Sequence, residues 1–240
     1  MTLADGVRYI LVHGSCHGAW CWRDVLPMLE NAVAIDLPSH GNDTTPISDV
    51  TLDLYVDAVI TEINKLPEPV VLVGHSAAGV TIASVAERVP DRISRLIYLC
   101  AYAPKDGDAL HVMRKRAKRQ LVLPAVVRAD DGLSYTVDPA KSPGIFYPDC
   151  SAESVEYALA HLGPQPTLPQ ETPVKLGANY ESVPRSYILG EDDHTIPPEE
   201  QEKMVADWPE GDVHRLNCGH SPFFSQPEIL TRLIGEIVGE

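Results

Sequence analysis

Short runs of apolar, often β-branched residues recur along the chain and alternate with stretches of helical periodicity. The apolar runs are typical of strands buried on both faces of a parallel sheet, and they cover residues 9–12, 32–35, 70–73, 96–100, 186–189 and 213–216. Residues 52–66, 80–89 and 229–238 have helical patterns, and Thr51 is a predicted N-cap for the first of these. The alternation predicts an α/β fold with a doubly wound, mostly parallel sheet.

One long stretch departs from this alternation. Residues 104–184 contain several prolines but no strong parallel-strand pattern. They predict an amphipathic basic helix over 112–123, a hairpin formed by 133–137 and 145–147, and a helix over 154–162. An insertion of this length predicts a cap over the sheet edge, where ligands of open α/β sheets bind. We therefore expect a core of residues 1–103 and 185–240, with 104–184 as an inserted cap in a single domain.

Composition narrows the class of partner. The 240 residues carry a formal net charge of -15, which disfavours nucleic acid and anionic membrane surfaces as partners. The basic cluster at positions 114–119 is predicted to be a solvated helix face. Residues 1–8 lack the long apolar core of a secretory signal, and residues 9–12 are too short to span a membrane. The five cysteines fit no zinc spacing, so we expect reduced thiols, a cytoplasmic location and no metal or cofactor.

The sequence Gly-His-Ser-Ala-Ala-Gly at positions 74–79 follows the third predicted strand directly and precedes a predicted helix. A serine at such a strand-to-helix turn has its hydroxyl exposed above the sheet edge, as in a nucleophile elbow. The usual pattern has glycine two residues after the serine, whereas this chain has Ala78 there. Ser76 is therefore the candidate nucleophile.

A serine nucleophile needs a base, and the base needs an acid to orient it. His220 follows the last predicted strand, where this chain order places the base, while His194, His13 and His17 are the competitors. The acid is expected in the loop after residues 186–189. Spacing alone leaves four candidates open, which are Glu191, Asp192, Asp193 and, after an earlier strand, Asp106.

The loop at positions 13–20 follows the first predicted strand and contains Gly14 and Gly18. Glycines permit the irregular backbone that turns amide groups inward. With the amide of Ala77 after the nucleophile, the amide of Cys16 is the predicted second donor of an oxyanion hole. The loop lacks the G-x-G-x-x-G spacing and the Walker lysine of nucleotide sites.

Together these motifs resemble those of α/β-hydrolases in the branch of hydroxynitrile lyases and plant methylesterases, which includes salicylic-acid-binding methyl esterases and bacterial esterases. The similarity is strongest at positions 13–20, 36–41, 74–79, 188–201 and 219–222. It implies Ser76 as nucleophile, His220 as base and the amides of Cys16 and Ala77 as oxyanion donors. It implies Asp193 as acid, because the isoleucine, proline and glutamine that follow resemble those after the family's aspartate.

Two positions place the chain with the esterases. The lyases of this branch have threonine where Gly14 lies and lysine where Ser221 lies. The sequence therefore predicts a carboxylic-ester hydrolase that acts on small or aromatic methyl esters through an acyl-enzyme. The alternatives are a hydroxynitrile lyase, a small-ligand-binding protein on the same fold, or a hydrolase of C–C bonds.

The substrate pocket is expected to lie under the cap, and a small-molecule ester is the expected partner. Its predicted lining residues are Gly14, Ser15, Tyr102, Leu121, Phe146, Leu159 and Phe223. Members of the branch often form dimers, so the resemblance implies a homodimer as the assembly to test.

Overall fold

The computed structural model describes residues 6–239. In this range the strands are β1 (Tyr9–Val12), β2 (Ala32–Ile35), β3 (Val70–His75), β4 (Ile93–Leu99), β5 (Val126–Arg128), β6 (Ser134–Val137), β7 (Gln165–Pro166), β8 (Arg185–Gly190) and β9 (Val213–Leu216). Six of them form one parallel sheet in the order β2-β1-β3-β4-β8-β9. This confirms the predicted doubly wound sheet.

The helices of the same range begin and end close to the predicted positions in the core. They are α1 (Leu52–Ile63), α2 (Ala78–Arg88), α3 (Leu110–Arg116), α4 (Ser142–Phe146), α5 (Ala152–His161), α6 (Leu168–Glu171), α7 (Ala178–Ser182), α8 (Pro198–Met204), α9 (Pro222–Ser225) and α10 (Pro227–Val238). The Thr51 side chain accepts a hydrogen bond from the Leu54 amide, so it caps α1 as predicted.

Two hydrophobic clusters lie on opposite faces of the six-stranded sheet. Alternate residues of β3 show the division, since Leu72 belongs to the cluster that contains α1 and α2, and Val73 to the cluster that contains α10. Burial on both faces explains why β1, β3 and the end of β4 read as continuous apolar runs.

The stretch between β4 and β8 folds differently from the prediction in one place. Residues 133–137 do form a strand, β6, but its hairpin partner is β5, and β7 pairs on its other side. The predicted second strand, residues 145–147, is wrong because the short helix α4, with Pro143 in its first turn, extends to Phe146. The basic helix ends at Arg116 rather than at position 123.

The described residues include no helix that is long and apolar enough to cross a membrane. All five cysteines are free thiols. The segment for which a secretory signal was considered, residues 1–8, lies mostly outside the described range. Within that range, the carboxyl ends of β1, β3, β8 and β9 open into loops at the same edge of the sheet, and these loops carry the candidate catalytic residues.

Candidate active site

Ser76 lies at the turn between β3 and α2 in a strained backbone conformation. Its φ is 54°, in the left-handed region that side chains other than glycine rarely adopt. The turn is held on both sides, because the Ser76 amide donates to the Leu99 carbonyl (3.1 Å) and the Ser76 carbonyl accepts from the Tyr102 amide (3.0 Å). A serine with a positive φ, held by hydrogen bonds on both sides, has the geometry of a nucleophile elbow.

Small residues around Ser76 allow a close approach of backbone segments. A Cβ at Gly79 would overlap the carbonyl oxygen of Tyr102. Ala78 is buried without needing glycine at its own position. The close approach of α2 to the backbone of Tyr102 therefore falls three residues after the serine, at Gly79.

His220 and Asp193 form a buried hydrogen-bonded pair. His220 Nδ1 lies 2.8 Å from Asp193 Oδ2, and each residue is 1% exposed. Asp193 also accepts from the amides of Thr195 (2.6 Å) and Ile196 (2.9 Å) and from Gln201 Nε2 (2.9 Å). Four donors thus converge on one carboxylate, which holds it in place and fixes the orientation of the imidazole.

The competing candidates lie away from this pair. The Asp192 side chain is 66% exposed, and its Oδ1 lies 3.3 Å from Nε2 of the half-exposed His194. Glu191 is exposed, and Asp106 Oδ1 accepts from the Leu176 amide. Of the four acids that spacing left open, the structure brings only Asp193 to His220.

Ser76 and His220 share one small cavity of about 20 Å³. A hydrogen bond from the Ser76 hydroxyl to His220 is not formed among residues 6–239. Such bonds are often long in unliganded enzymes and shorten when substrate binds. The other residues that line the cavity are Ser15, His17, His75, Tyr102, Arg114, Val122, Tyr135, Val137, Phe146 and Thr195.

The structure disagrees with the prediction that Cys16 supplies an oxyanion donor. Its amide donates to Gln165 Oε1 at 3.2 Å, and Cys16 does not line the cavity that contains Ser76. Ser15 does line it. In the part of the chain that the structure describes, the amides of Ser15 and Ala77 donate no hydrogen bond.

The predicted pocket residues fall into three groups. Ser15, Tyr102 and Phe146 line the cavity with Ser76. Leu121 lines a larger cavity next to it, and Gly14 a small one behind the oxyanion loop. Leu159 and Phe223 line none of these cavities; Phe223 is fully buried against the ring of His75, at 4.9 Å between centroids. For those two, the pocket role stays a prediction.

The sequence does not predict several of the residues that line the cavity. His17 donates from Nδ1 to the Ser15 carbonyl (2.7 Å), and its Nε2 accepts from the Tyr147 hydroxyl (2.7 Å). The sequence predicts a solvated face for Arg114, whereas the structure places it in the lining of the cavity. A signal was available, because Arg114 follows the buried Leu110 by four residues on α3 and so lies on the same face.

Acid is expected to destabilise the fold through its buried histidines. Burial lowers the pKa of His17 from 6.5 to about 4 and lowers that of His75 well below its ordinary value. Between pH 6.5 and 4 the unfolded chain binds the proton and the folded chain does not, so stability falls as the pH falls through that window. For His17 the loss is about 3 kcal/mol.

Urea unfolding at a series of pH values measures this loss. His17→Gln is expected to flatten the dependence between pH 6.5 and 4, whereas His161→Gln, at an exposed position on α5, is expected to leave it unchanged. A His17→Gln protein with the full wild-type pH dependence would show that His17 does not carry the effect.

Gly14 is expected to tolerate no side chain. A Cβ there would lie 2.7 Å from Ser76 Cβ and 3.0 Å from His75 Nδ1. Gly14→Ala should therefore displace Ser76 and lower kcat/KM for esters about 100-fold, the usual cost of displacing a reacting group by about 1 Å. Gly144→Ala, which meets nothing within 4 Å, is the control. Equal activity of the two variants would contradict this reading of Gly14.

Known proteins with similar sequences are α/β-hydrolases and methylesterases. A family model described as "Alpha/beta hydrolase family" matches residues 9–233. Methylesterase 8 of Arabidopsis thaliana is 33% identical, over 93% of this chain and 86% of that protein, and Methylesterase 1 of the same plant is 31% identical, over 93% of each.

Solved structures show the same fold. A pyrethroid hydrolase from Sphingobium faniae superposes with a TM-score of 0.88 at 26% identity, over 97% of both chains. The Arabidopsis methylesterase MES16 has a TM-score of 0.86 at 24% identity, over 98% of this chain and 99% of that chain. The chain belongs to the alpha/beta hydrolase family and is an esterase related to the plant methylesterases.

Proposed function

We propose that this enzyme hydrolyses small carboxylic esters, methyl esters among them, by a Ser76-His220-Asp193 triad. One observation carries the proposal, which is that His220, held by the buried Asp193 at 2.8 Å, lines the same cavity as the strained Ser76. The methylesterase names of the relatives support methyl esters as a substrate class. Crystal structures of the related pyrethroid hydrolase with a serine or a histidine replaced by alanine support the two residue types.

The mechanism has two steps that share one set of groups. His220 accepts the Ser76 proton as Oγ attacks the ester carbonyl, and the amides of Ser15 and Ala77 stabilise the oxyanion. His220 then protonates the leaving alcohol, which gives the acyl-enzyme. Water, deprotonated by His220, attacks that ester. The bond to Ser76 Oγ then breaks, His220 returns the proton to Oγ, and the acid is released. Asp193 keeps its hydrogen bond to His220 Nδ1 in both steps and stabilises the imidazolium.

Residues 104–184 act as a cap in this proposal. The lining of the cavity supports it, because Arg114, Val122, Tyr135, Val137 and Phe146 all come from that segment. A cap excludes water and so strengthens the electrostatic stabilisation of the oxyanion. The cytoplasmic location and the homodimer stay predictions, and three of the similar relatives are named as putative chloroplastic methylesterases.

The lyase alternative loses support from the surroundings of Gly14 and Ser221. The threonine of the lyases would not fit at Gly14, because even a Cβ added there would lie 2.7 Å from Ser76 Cβ. Ser221 is fully buried, and within residues 6–239 its hydroxyl has no hydrogen-bond partner. It therefore does not take the place of the lysine that the lyases use.

A substrate panel tests the proposed function. Purified protein is assayed with short p-nitrophenyl esters, methyl esters of aromatic acids and mandelonitrile, and the Ser76→Ala protein gives the background. We expect ester hydrolysis that depends on Ser76. Cyanide release without ester hydrolysis would favour the lyase, and tight binding of esters without turnover would favour the binding protein; either result would contradict the proposal.

A further inference from the structure

A larger cavity of about 360 Å³ adjoins the one that contains Ser76. The two share Tyr102, Arg114, Val122 and Thr195 as a common wall. The inner cavity, about 20 Å³, has room for little more than a water molecule. A substrate whose carbonyl reaches Ser76 from the outer cavity must therefore pass this wall and contact its residues.

The outer cavity is rich in cations, although the chain as a whole is acidic. Five basic residues line it, which are Lys105, Arg114, Arg116, Arg119 and Lys203. Four of them are neutralised by carboxylates, in the pairs Lys105–Asp207 (3.1 Å), Arg116–Asp108 (2.7 Å), Arg119–Glu199 (2.6 Å) and Lys203–Glu200 (2.6 Å). Arg114 is the remaining one.

Arg114 is contacted by neutral groups. Its Nη2 donates to Gln170 Oε1 (3.2 Å) and reaches the Tyr135 hydroxyl at 3.5 Å, and the Tyr135 hydroxyl itself donates to Gln170 Oε1 (3.1 Å). Gln170 Nε2 in turn donates to Ser15 Oγ (2.8 Å). Among residues 6–239, Arg114 forms no ion pair. A guanidinium has five N–H donors, so this network orients Arg114 and leaves donors for a ligand.

Burying a guanidinium without a carboxylate partner costs desolvation free energy, which a bound anion would offset. The planar fork suits a carboxylate, which it binds with two parallel hydrogen bonds. We propose, on the basis of the esterase function above, that Arg114 binds a carboxylate of the substrate and that the enzyme prefers esters that carry a free carboxylate, such as half-esters of dicarboxylic acids. Arg114 is then a specificity residue, held in place by Gln170 and Tyr135.

The preference is measured with methyl esters of matched length. Hydrolysis is followed by the release of methanol. The anion preference is defined as kcat/KM for methyl hydrogen adipate divided by kcat/KM for methyl hexanoate. Dimethyl adipate is a second neutral substrate, and the glutarate and pimelate half-esters vary the distance between the ester and the carboxylate. We expect wild type to prefer the best half-ester by at least tenfold.

Three variants isolate the role of Arg114. Arg114→Gln is expected to lower the anion preference at least tenfold, mainly through a higher KM for the half-ester. Arg114→Lys keeps the charge but not the fork, so an intermediate preference is expected. Lys115→Gln removes the same charge from the next residue of α3, which is exposed and lines neither cavity, and should leave the preference unchanged.

The outcomes separate this inference from the function on which it rests. If no ester is hydrolysed in a Ser76-dependent manner, the proposed function itself fails. If esters are hydrolysed but wild type prefers the neutral ones, the inference about Arg114 is wrong and the esterase stands. A loss in Arg114→Gln that is equal for charged and neutral esters, with a lower melting temperature, would mean a purely structural arginine. The wild-type preference and Arg114→Lys decide the matter even if Arg114→Gln does not fold.

Discussion

Replacing His220 by alanine is expected to lower kcat for ester hydrolysis by about 10⁶-fold, as removal of a triad histidine does in a serine hydrolase. The physical reason is that a serine hydroxyl is a weak nucleophile without a base to accept its proton. The rate is measured in single-turnover experiments with a p-nitrophenyl ester, in which release of p-nitrophenol reports acylation directly.

His194→Ala is the matched control for His220→Ala. His194 follows a neighbouring strand of the sheet, but its side chain is half exposed and it contacts Asp192 and the Gly144 carbonyl instead of the cavity. We expect its kcat to stay within about threefold of wild type, as for a surface substitution remote from the site. A His194→Ala protein with the larger loss of the two would exclude His220 as the base.

Asp193→Asn is expected to lower kcat by about 10⁴-fold, the usual effect of this substitution on a triad. Asp193 receives four hydrogen bonds, from two amides, Gln201 and His220. An asparagine has only one acceptor oxygen, so its NH₂ group must face some of these donors. The imidazole then takes the wrong tautomer and no longer accepts the serine proton.

The neighbouring Asp192 supplies the control, because Asp192→Asn makes the same chemical change on a side chain that is 66% exposed. It should leave kcat nearly unchanged. Since Asp193→Asn also leaves buried donors facing each other, its folding is checked by circular dichroism before the rate is compared. A folded Asp193→Asn protein with wild-type kcat would show that another group orients His220.

The core of the fold could be predicted from the sequence because its strands are buried on both faces. Such strands are continuous apolar runs, as in β1 and β3, and the helices between them have regular periodicity. Ser76 could be predicted for the same reason, since the strand before it and the helix after it were both recognisable. Its positive φ is the structural counterpart of that motif.

Residues 104–184 were harder to predict because their elements are short. β5 has three residues and β7 two, too few to show a period. The apolar run at 145–147 has the composition of a strand, but the proline in the first turn of α4 favours a helix there. Leu159 shows a related problem, because a helical pattern does not tell which neighbour a helix will face.

Three site assignments required tertiary contacts. Cys16 and Ser15 are adjacent in a loop, and only the hydrogen bond from the Cys16 amide to Gln165, distant in sequence, tells them apart. Arg114 stands among other basic residues, and its role depends on which of them find a carboxylate. The acid is similar, since spacing alone left four candidates and the contact with His220 distinguishes Asp193.

Covalent labelling of Ser76 tests the central claim most directly. A fluorophosphonate reacts when a serine oxygen attacks phosphorus and fluoride leaves, so the enzyme gains one phosphonyl group, which mass spectrometry of the intact protein detects and peptide mapping locates. We predict one adduct per chain, on the peptide that contains Ser76, much slower labelling in His220→Ala and none in Ser76→Ala. An adduct on another residue, or undiminished labelling of Ser76→Ala, would contradict a Ser76 nucleophile.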